Sequence, residues 1–197
     1  MEDAARVERD LAAYYDQEAE ERANRELIGE RVNARRAFLD EHARRGARLL
    51  EVGTGPGRDA AAFVDAGLVT FGVDLSHEFA VYAARVGALM TNATARGLPF
   101  RDASFDLVWS MSTLMHIPNG AIETALEELR RVLRPNGVAA IGVWGGADVE
   151  ERLANKYNPP RYFCRRSDDR WRGMLAAIGA IETFETWHRE GEDFSYQ

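Results

Sequence analysis

Short apolar runs alternate with amphipathic stretches along most of the chain. Arg48–Val52 predicts a strand, and residues 58–66 predict a helix stopped by Gly67, a glycine just past the helix end. "VTFGVDLS" predicts a second strand running into Asp74, and Glu78–Met90 reads as a helix. "FDLVWSM" is continuously apolar, the mark of a strand covered on both faces. Ile122, Leu126, Leu129 and Leu133 recur at steps of four, three and four, which predicts an amphipathic helix. "RPNG" then reads as a turn and "VAAIGVW" as another buried strand. Upstream, residues 3–45 read as two helices with spaced apolar positions (Leu27, Ile28, Val32, Phe38, Leu39) and a joint near Asn24 or Gly29. Downstream, residues 148–165 carry Pro159 and Pro160 and predict an irregular crossing segment. Ser167–Ile178 predicts a helix, capped by Ser167 and stopped by Gly179. "AIETFETWH" alternates like an edge or antiparallel strand, and "DFSYQ" begins its partner. Alternation of strand and helix predicts an α/β fold, a parallel sheet with helices on both faces.

Composition changes this picture mainly by exclusion. No repeat or low-complexity linker interrupts the 197 residues, so one domain is expected. The net charge of −7 repels phosphate backbones and makes nucleic acid a disfavoured partner. Lys156 is the single lysine among 25 basic residues, a bias that points to a GC-rich coding genome. Cys164 is the only cysteine, which rules out an intrachain disulfide and a multi-cysteine metal site, and no metal is expected. The charged N-terminus lacks the apolar core of a secretory signal, and the longest nearly apolar stretch, Val138–Ala147, is too short to cross a bilayer. A cytoplasmic protein with no membrane partner is the expectation.

The candidate chemistry sits in "LLEVGTGPGRDAAAF", residues 49–63. In a doubly wound sheet the first strand–helix turn faces the ligand at the carboxyl ends of the strands. Three readings compete. A dinucleotide loop wants G-x-G-x-x-G, but here the third glycine comes one position early and Arg58 stands where the fingerprint has glycine. Asp59, in the helix's first turn, suits the helix dipole but competes with a diphosphate. S-adenosylmethionine carries no phosphate. A glycine wall lets the backbone approach its methionine part, Glu51 favours its cationic end, and Asp74, about 20 residues on, accepts both ribose hydroxyls. The third reading is an ordinary tight turn, with Asp74 as a turn or capping residue.

Five blocks in order decide between them. "YDQEA" (Tyr15 to Ala19), "LLEVGTGPGRDA", "VTFGVDLS", "ARGLPFRDASFDLVWSMSTLMHIP" and "ELRRVLRPNGVAAIGVW" together resemble the class I S-adenosylmethionine-dependent methyltransferases of the small, single-domain bacterial type. The resemblance implies a Rossmann-like, doubly wound, mostly parallel seven-stranded sheet with an antiparallel edge strand; the chain departs from the family in stopping at Gln197, so that the last strand is expected to be short or truncated. It implies an N-terminal helical lid (1–45) over a core (46–197). It also implies S-adenosylmethionine as cofactor, held by Tyr15, Glu51, Gly53, Thr54, Gly55, Gly57, Asp74, Leu75, Thr94, Ala95, Ser110 and Met111. The chain departs from the family at Thr94, where an acid usually accepts the adenine amino group. A neutral hydroxyl is the weaker acceptor, and Asn92 or the backbone of Ala95 are the alternatives.

Methyl transfer asks mainly for alignment of the acceptor with an activated methyl group, and an oxygen acceptor also needs a base. His116 is the candidate base, on the rim after the fourth strand; the competing reading is a hydrogen-bonded structural histidine. By the resemblance Tyr15 contacts the methionine carboxylate or closes the acceptor pocket; the competing reading is ordinary packing beside Tyr14. Trp144, Tyr157, Arg161, Tyr162 and Trp187 are candidate acceptor-pocket walls. The expected function is methyl transfer to an oxygen or nitrogen of a small-molecule acceptor, such as a natural-product intermediate. The alternatives are a macromolecule methyltransferase, a non-methylating binder of the same cofactor such as a cyclase or regulatory module, and a nicotinamide oxidoreductase.

Overall fold

The computed structural model describes residues 2–25, 27, 29–154, 156–188 and 195–197. Ile28, Asp193 and Phe194, which enter the sequence reading, lie outside the described residues. The elements run α1 (Ala4–Ala23), α2 (Gly29–His42), β1 (Arg48–Val52), α3 (Arg58–Asp65), β2 (Val69–Asp74), α4 (His77–Ala84), β3 (Leu89–Asn92), β4 (Phe105–Met111), a 3-10 turn (Leu114–His116), α5 (Ile122–Val132), β5 (Leu133–Gly142), β6 (Trp144–Gly145), β7 (Val149–Leu153), β8 (Arg161–Arg165), α6 (Asp168–Ile178), β9 (Trp187–His188) and β10 (Ser195–Tyr196).

Strands β1 to β5 form one parallel sheet in the order β3-β2-β1-β4-β5. The order reverses between β1 and β4, which opens a crevice at their carboxyl ends. Leu49 and Leu50 on β1 show why the strands read as unbroken apolar runs. Leu49 joins Leu107, Trp109, Phe38 and Phe63 on one face, while Leu50 joins Phe105, Val108, Ile122, Leu126 and Leu129 on the other. Helix α5 buries Ile122, Ala125, Leu126, Leu129 and Val132 on one stripe, as its spacing predicts. Helix α1 starts at Asp3, whose side chain accepts from the Ala5 N–H, and buries Val7, Leu11, Tyr14 and Glu18.

Four expectations need correction. The sheet has five paired strands among the described residues, not seven. After Val143 the chain enters an antiparallel ladder, β6-β10-β9, and the Val143–Gln197 backbone pair lies between it and the end of β5. The helix expected over 78–90 stops at Ala84. Gly87 turns the chain at φ +91°, and Leu89–Asn92 pair with Phe71–Asp74 as an edge strand. "RPNG" is an excursion within β5, where the partner of β4 jumps from Leu133 to Val138 and Asn136 adopts φ +63°. The region expected to cross irregularly contains the hairpin β7–β8, paired from Val149–Arg165 to Leu153–Arg161.

Candidate active site

A cleft of about 990 Å³, including its solvent-open mouth, lies over the carboxyl ends of β1, β2 and β4. Its floor is the loop Gly53–Pro56, and α1 crosses above it with Glu8, Leu11, Tyr15 and Arg22 on the lining. The helix is held there by Asp16, whose Oδ1 accepts from Ser76 Oγ at 2.6 Å and from the Glu78 N–H at 3.2 Å. A second tie runs from Arg152 on the hairpin to Asp10, at 2.8 Å. Helix α1 is therefore tied to the core at two points.

The glycine loop earns its composition at specific points. Gly53, Gly55 and Gly57 all have positive φ, at +76°, +56° and +87°. A Cβ on Gly53 would run into Thr113, and one on Gly57 would meet the Ala83 backbone at 2.7 Å. A Cβ on Gly55 would meet nothing within 4 Å, so that glycine faces the open cleft. Asp74 is turned onto this loop. One of its oxygens accepts from the Gly55 N–H at 2.7 Å and the other from the Ser76 N–H at 2.9 Å. Burial raises its pKa to about 6, against the pull of those N–H donors.

Glu51 lies beneath the loop at 1% exposure, and neither carboxylate oxygen has a hydrogen-bond partner among the described residues. Burial, and then the neighbouring Asp59, push its pKa well above the usual carboxylate range. A buried carboxylate with no donor is costly unless a cation or donor completes it.

Asp59 does not face the helix start as a guard against anions. It is fully buried, accepting from Arg31 Nε at 2.7 Å, Arg35 Nη1 at 2.8 Å and Trp109 Nε1 at 3.0 Å. The side chains that do reach the cleft at this end are Arg22, Arg31 and Arg58. Arg22 is paired with Glu18 at 2.7 Å and Arg31 with Asp59 at 2.6 Å. Arg58 has no carboxylate partner among the described residues and donates only to the Arg25 carbonyl. Burial and its arginine neighbours lower its pKa to about 10.

At the far end Thr94 is engaged from both sides. Its oxygen accepts from the Arg96 N–H at 3.1 Å, and its hydroxyl donates to the Glu8 carboxylate of α1. Glu8 also holds Arg96 through both oxygens, at 2.7 Å each. Asn92 is turned onto β2, its amide donating to the Asp74 carbonyl at 3.2 Å. Here a carboxylate comes from helix α1 rather than from the loop.

His116 Nδ1 lies 2.6 Å from the Tyr162 carbonyl, and its Nε2 lies 2.8 Å from the Tyr15 hydroxyl. A carbonyl only accepts, so Nδ1 carries the proton and Nε2 receives the Tyr15 O–H. Burial drives the His116 pKa down to about 3, and Arg161 and Arg22 add to the fall.

Of the residues expected at the site, Tyr15, Gly53, Thr54, Gly55, Asp74, Leu75, Thr94, Ala95, Met111 and His116 line the cleft. Glu51, Gly57 and Ser110 support it from behind; Ser110 Oγ is buried and donates to the Val52 carbonyl. The five expected wall residues do not line it. Trp144 and Trp187 pack on Tyr196 in the antiparallel ladder, and Tyr162 contributes its carbonyl to His116. Sequence reasoning missed Glu8, Arg22, Arg31 and Arg58. The first three sit on helices that the sequence marked only by their spaced apolar positions, and the fourth was noticed only as a mismatch to a fingerprint.

Comparison with known proteins agrees with this geometry. Residues 50–141 match the family profile described as a methyltransferase domain. An uncharacterized methyltransferase of Mycolicibacterium paratuberculosis is 36% identical over 137 residues, covering 58% of this chain and 52% of that protein. The malonyl-acyl-carrier-protein O-methyltransferase of Enterobacter lignolyticus is 37% identical over 149 residues, covering 72% of this chain and 59% of the relative. The chain thus spans between half and two thirds of the length of these curated relatives. The solved 1,6-didemethyltoxoflavin-N1-methyltransferase of Burkholderia thailandensis, with 1,6-didemethyltoxoflavin and S-adenosylhomocysteine bound, shares the fold at TM-score 0.78 and 22% identity, over 100% of this chain and 88% of that one. No described helix is long and apolar enough to cross a membrane. Residues 50–141 thus carry a methyltransferase domain, as the resemblance to the class I S-adenosylmethionine-dependent methyltransferases implied.

Proposed function

We propose that this protein transfers a methyl group from S-adenosylmethionine to a small molecule. The observation that carries the reading is the acidity of the glycine loop: Asp74 lines the cleft on the Gly55 N–H, and Glu51 is buried behind the loop with no donor among the described residues. Two acids there suit a ligand with hydroxyls and a cationic end, and oppose a diphosphate. The rest of the cleft fits the same ligand. Asp74 accepts ribose hydroxyls, Arg58 pairs with the methionine carboxylate, and Leu75, Ala95 and the Glu8–Thr94 pair border the adenine. Once bound, the cofactor supplies a methyl group on a positively charged sulfur.

The chain's own work is then binding, orientation and exclusion of water. Leu11, Phe79, Ile117 and Pro118 give the remaining lining an apolar character suited to a small acceptor. Helix α1 adds Leu11 and Tyr15 to the lining of that space. Tyr15 and His116 act as a positioning pair, because their hydrogen bonds fix the rim on which the acceptor rests. The test is isothermal titration with S-adenosylhomocysteine and with NAD(P), followed by a release assay for S-adenosylhomocysteine with small-molecule acceptors. Binding of the first ligand and turnover of a small acceptor support the reading. NAD(P) binding without S-adenosylhomocysteine binding, or turnover only of RNA or protein, overturns it.

A further inference from the structure

Two carboxylates line the cleft, and they stand at different points along it. Asp74, at the end of β2, is turned onto the Gly55 and Ser76 N–H groups. Glu8 comes from α1 and is tied to Thr94 and Arg96, on the loop after β3. That loop by itself offers little to an amino group. The Arg96 N–H and guanidinium are donors, and Thr94 accepts from the first while giving its own proton to Glu8. Asn92 keeps its oxygen 3.3 Å from His77 Nδ1 and its amide on the Asp74 carbonyl. Glu8 has capacity left. A carboxylate accepts at about four positions. Thr94 and Arg96 Nε occupy Oε1, whereas Oε2 receives only Arg96 Nη2, at 2.7 Å. The Glu8 side chain is 20% exposed, so the fabric of the fold does not enclose that last position.

From this arrangement we infer that Glu8 accepts the hydrogen bond of the adenine amino group, so that the base is recognised by α1 and not by the loop after β3. The inference rests on the S-adenosylmethionine reading above and adds the residue that selects its base. Arg96 grips the carboxylate through two parallel bonds and fixes its plane before any ligand arrives. A charged acceptor favours a 6-amino purine and opposes a 6-oxo purine, whose oxygen would face the carboxylate. Glu8, Leu11 and Tyr15 follow one another at steps of three and four, which puts them on one face of α1. The face that selects the base therefore also carries part of the lining of the acceptor space.

Titration calorimetry with S-adenosylhomocysteine and with its 6-deamino analogue, which keeps the purine nitrogens and loses only the amino group, isolates this bond. The wild type is expected to prefer S-adenosylhomocysteine by at least about tenfold. E8A is expected to lose the preference, and E8Q, which keeps the shape and an oxygen without the charge, to retain about threefold. T94V, which leaves the Glu8–Arg96 pair in place, is expected to keep most of it. A Glu8 that merely ties α1 to the loop would weaken both ligands alike on removal and leave their ratio unchanged. Equal binding of the two ligands by the wild type, the wild-type ratio retained in E8A, or a ratio abolished by T94V would each overturn the inference, the last by moving the acceptor to the loop. Failure of S-adenosylhomocysteine itself to bind would instead remove the reading on which the inference stands.

Discussion

With Asp74 holding the ribose, as proposed, cofactor affinity is expected to depend on pH in a way that can be worked out. Burial holds its pKa at about 6 in the free protein. At pH 5, only about one tenth of these carboxyls are ionised. Ribose hydroxyls donate to the ionised form and so return the bound carboxyl toward its ordinary value near 4, where nearly all are ionised at pH 5. Binding therefore releases a proton below pH 6. Affinity is complete above pH 6 and falls as pH drops through it, by about tenfold between pH 8 and 5, or about 1.4 kcal/mol. The unligated fold has the opposite dependence. Burial favours the protonated form, so Asp74 costs stability as pH rises from the ordinary carboxylate range to about 6, and the cost is constant above that. Titration calorimetry of S-adenosylhomocysteine from pH 8 to 5, on the wild type and on Asp74→Asn, measures the effect. The variant should bind weakly and lose this pH dependence. A flat wild-type affinity, or an equal fall in the variant, would refute the argument, the latter moving the effect to Glu51.

Two further perturbations test the frame around the cleft. Asp59→Asn leaves Arg31 and Arg35 without their shared carboxylate inside the fold and is expected to cost about 3–5 kcal/mol in urea unfolding; a loss under 1 kcal/mol would show that the cluster is not structural. Gly57→Ala forces a side chain into φ +87° and against Ala83. It should destabilise by about 3 kcal/mol, seen as a melting temperature lowered by roughly 6–12 °C.

The residues whose roles were legible in the chain are those whose constraint is local. Gly53 and Gly55 need positive φ to turn from strand to helix, and Asp74 ends a strand beside them, so a short window of sequence carries the information. The same holds for α5, where Leu126 and Leu129 declare their buried stripe by spacing alone. The edge strand β3 was not legible, because Leu89–Asn92 is largely exposed and lacks the apolar run that marks its neighbours. The hairpin β7–β8 was hidden in the same way, its first strand VEERL being charged at its three central positions.

The gap widens at the site. The sequence by itself determined a doubly wound sheet, a glycine-walled crevice and the acid at its second strand, because hydrophobic period and backbone conformation are set over a few residues. Only the tertiary structure decided which charges face the crevice. Glu8 meets Thr94 and Arg96, Asp59 turns inward to Arg31 and Arg35, and His116 is occupied by Tyr15, pairings that span 24 to 101 residues. An arginine or carboxylate on a helix carries no local sign of its partner. Burial and long-range pairing alone distinguish a charge that binds a ligand from one that is neutralised within the fold.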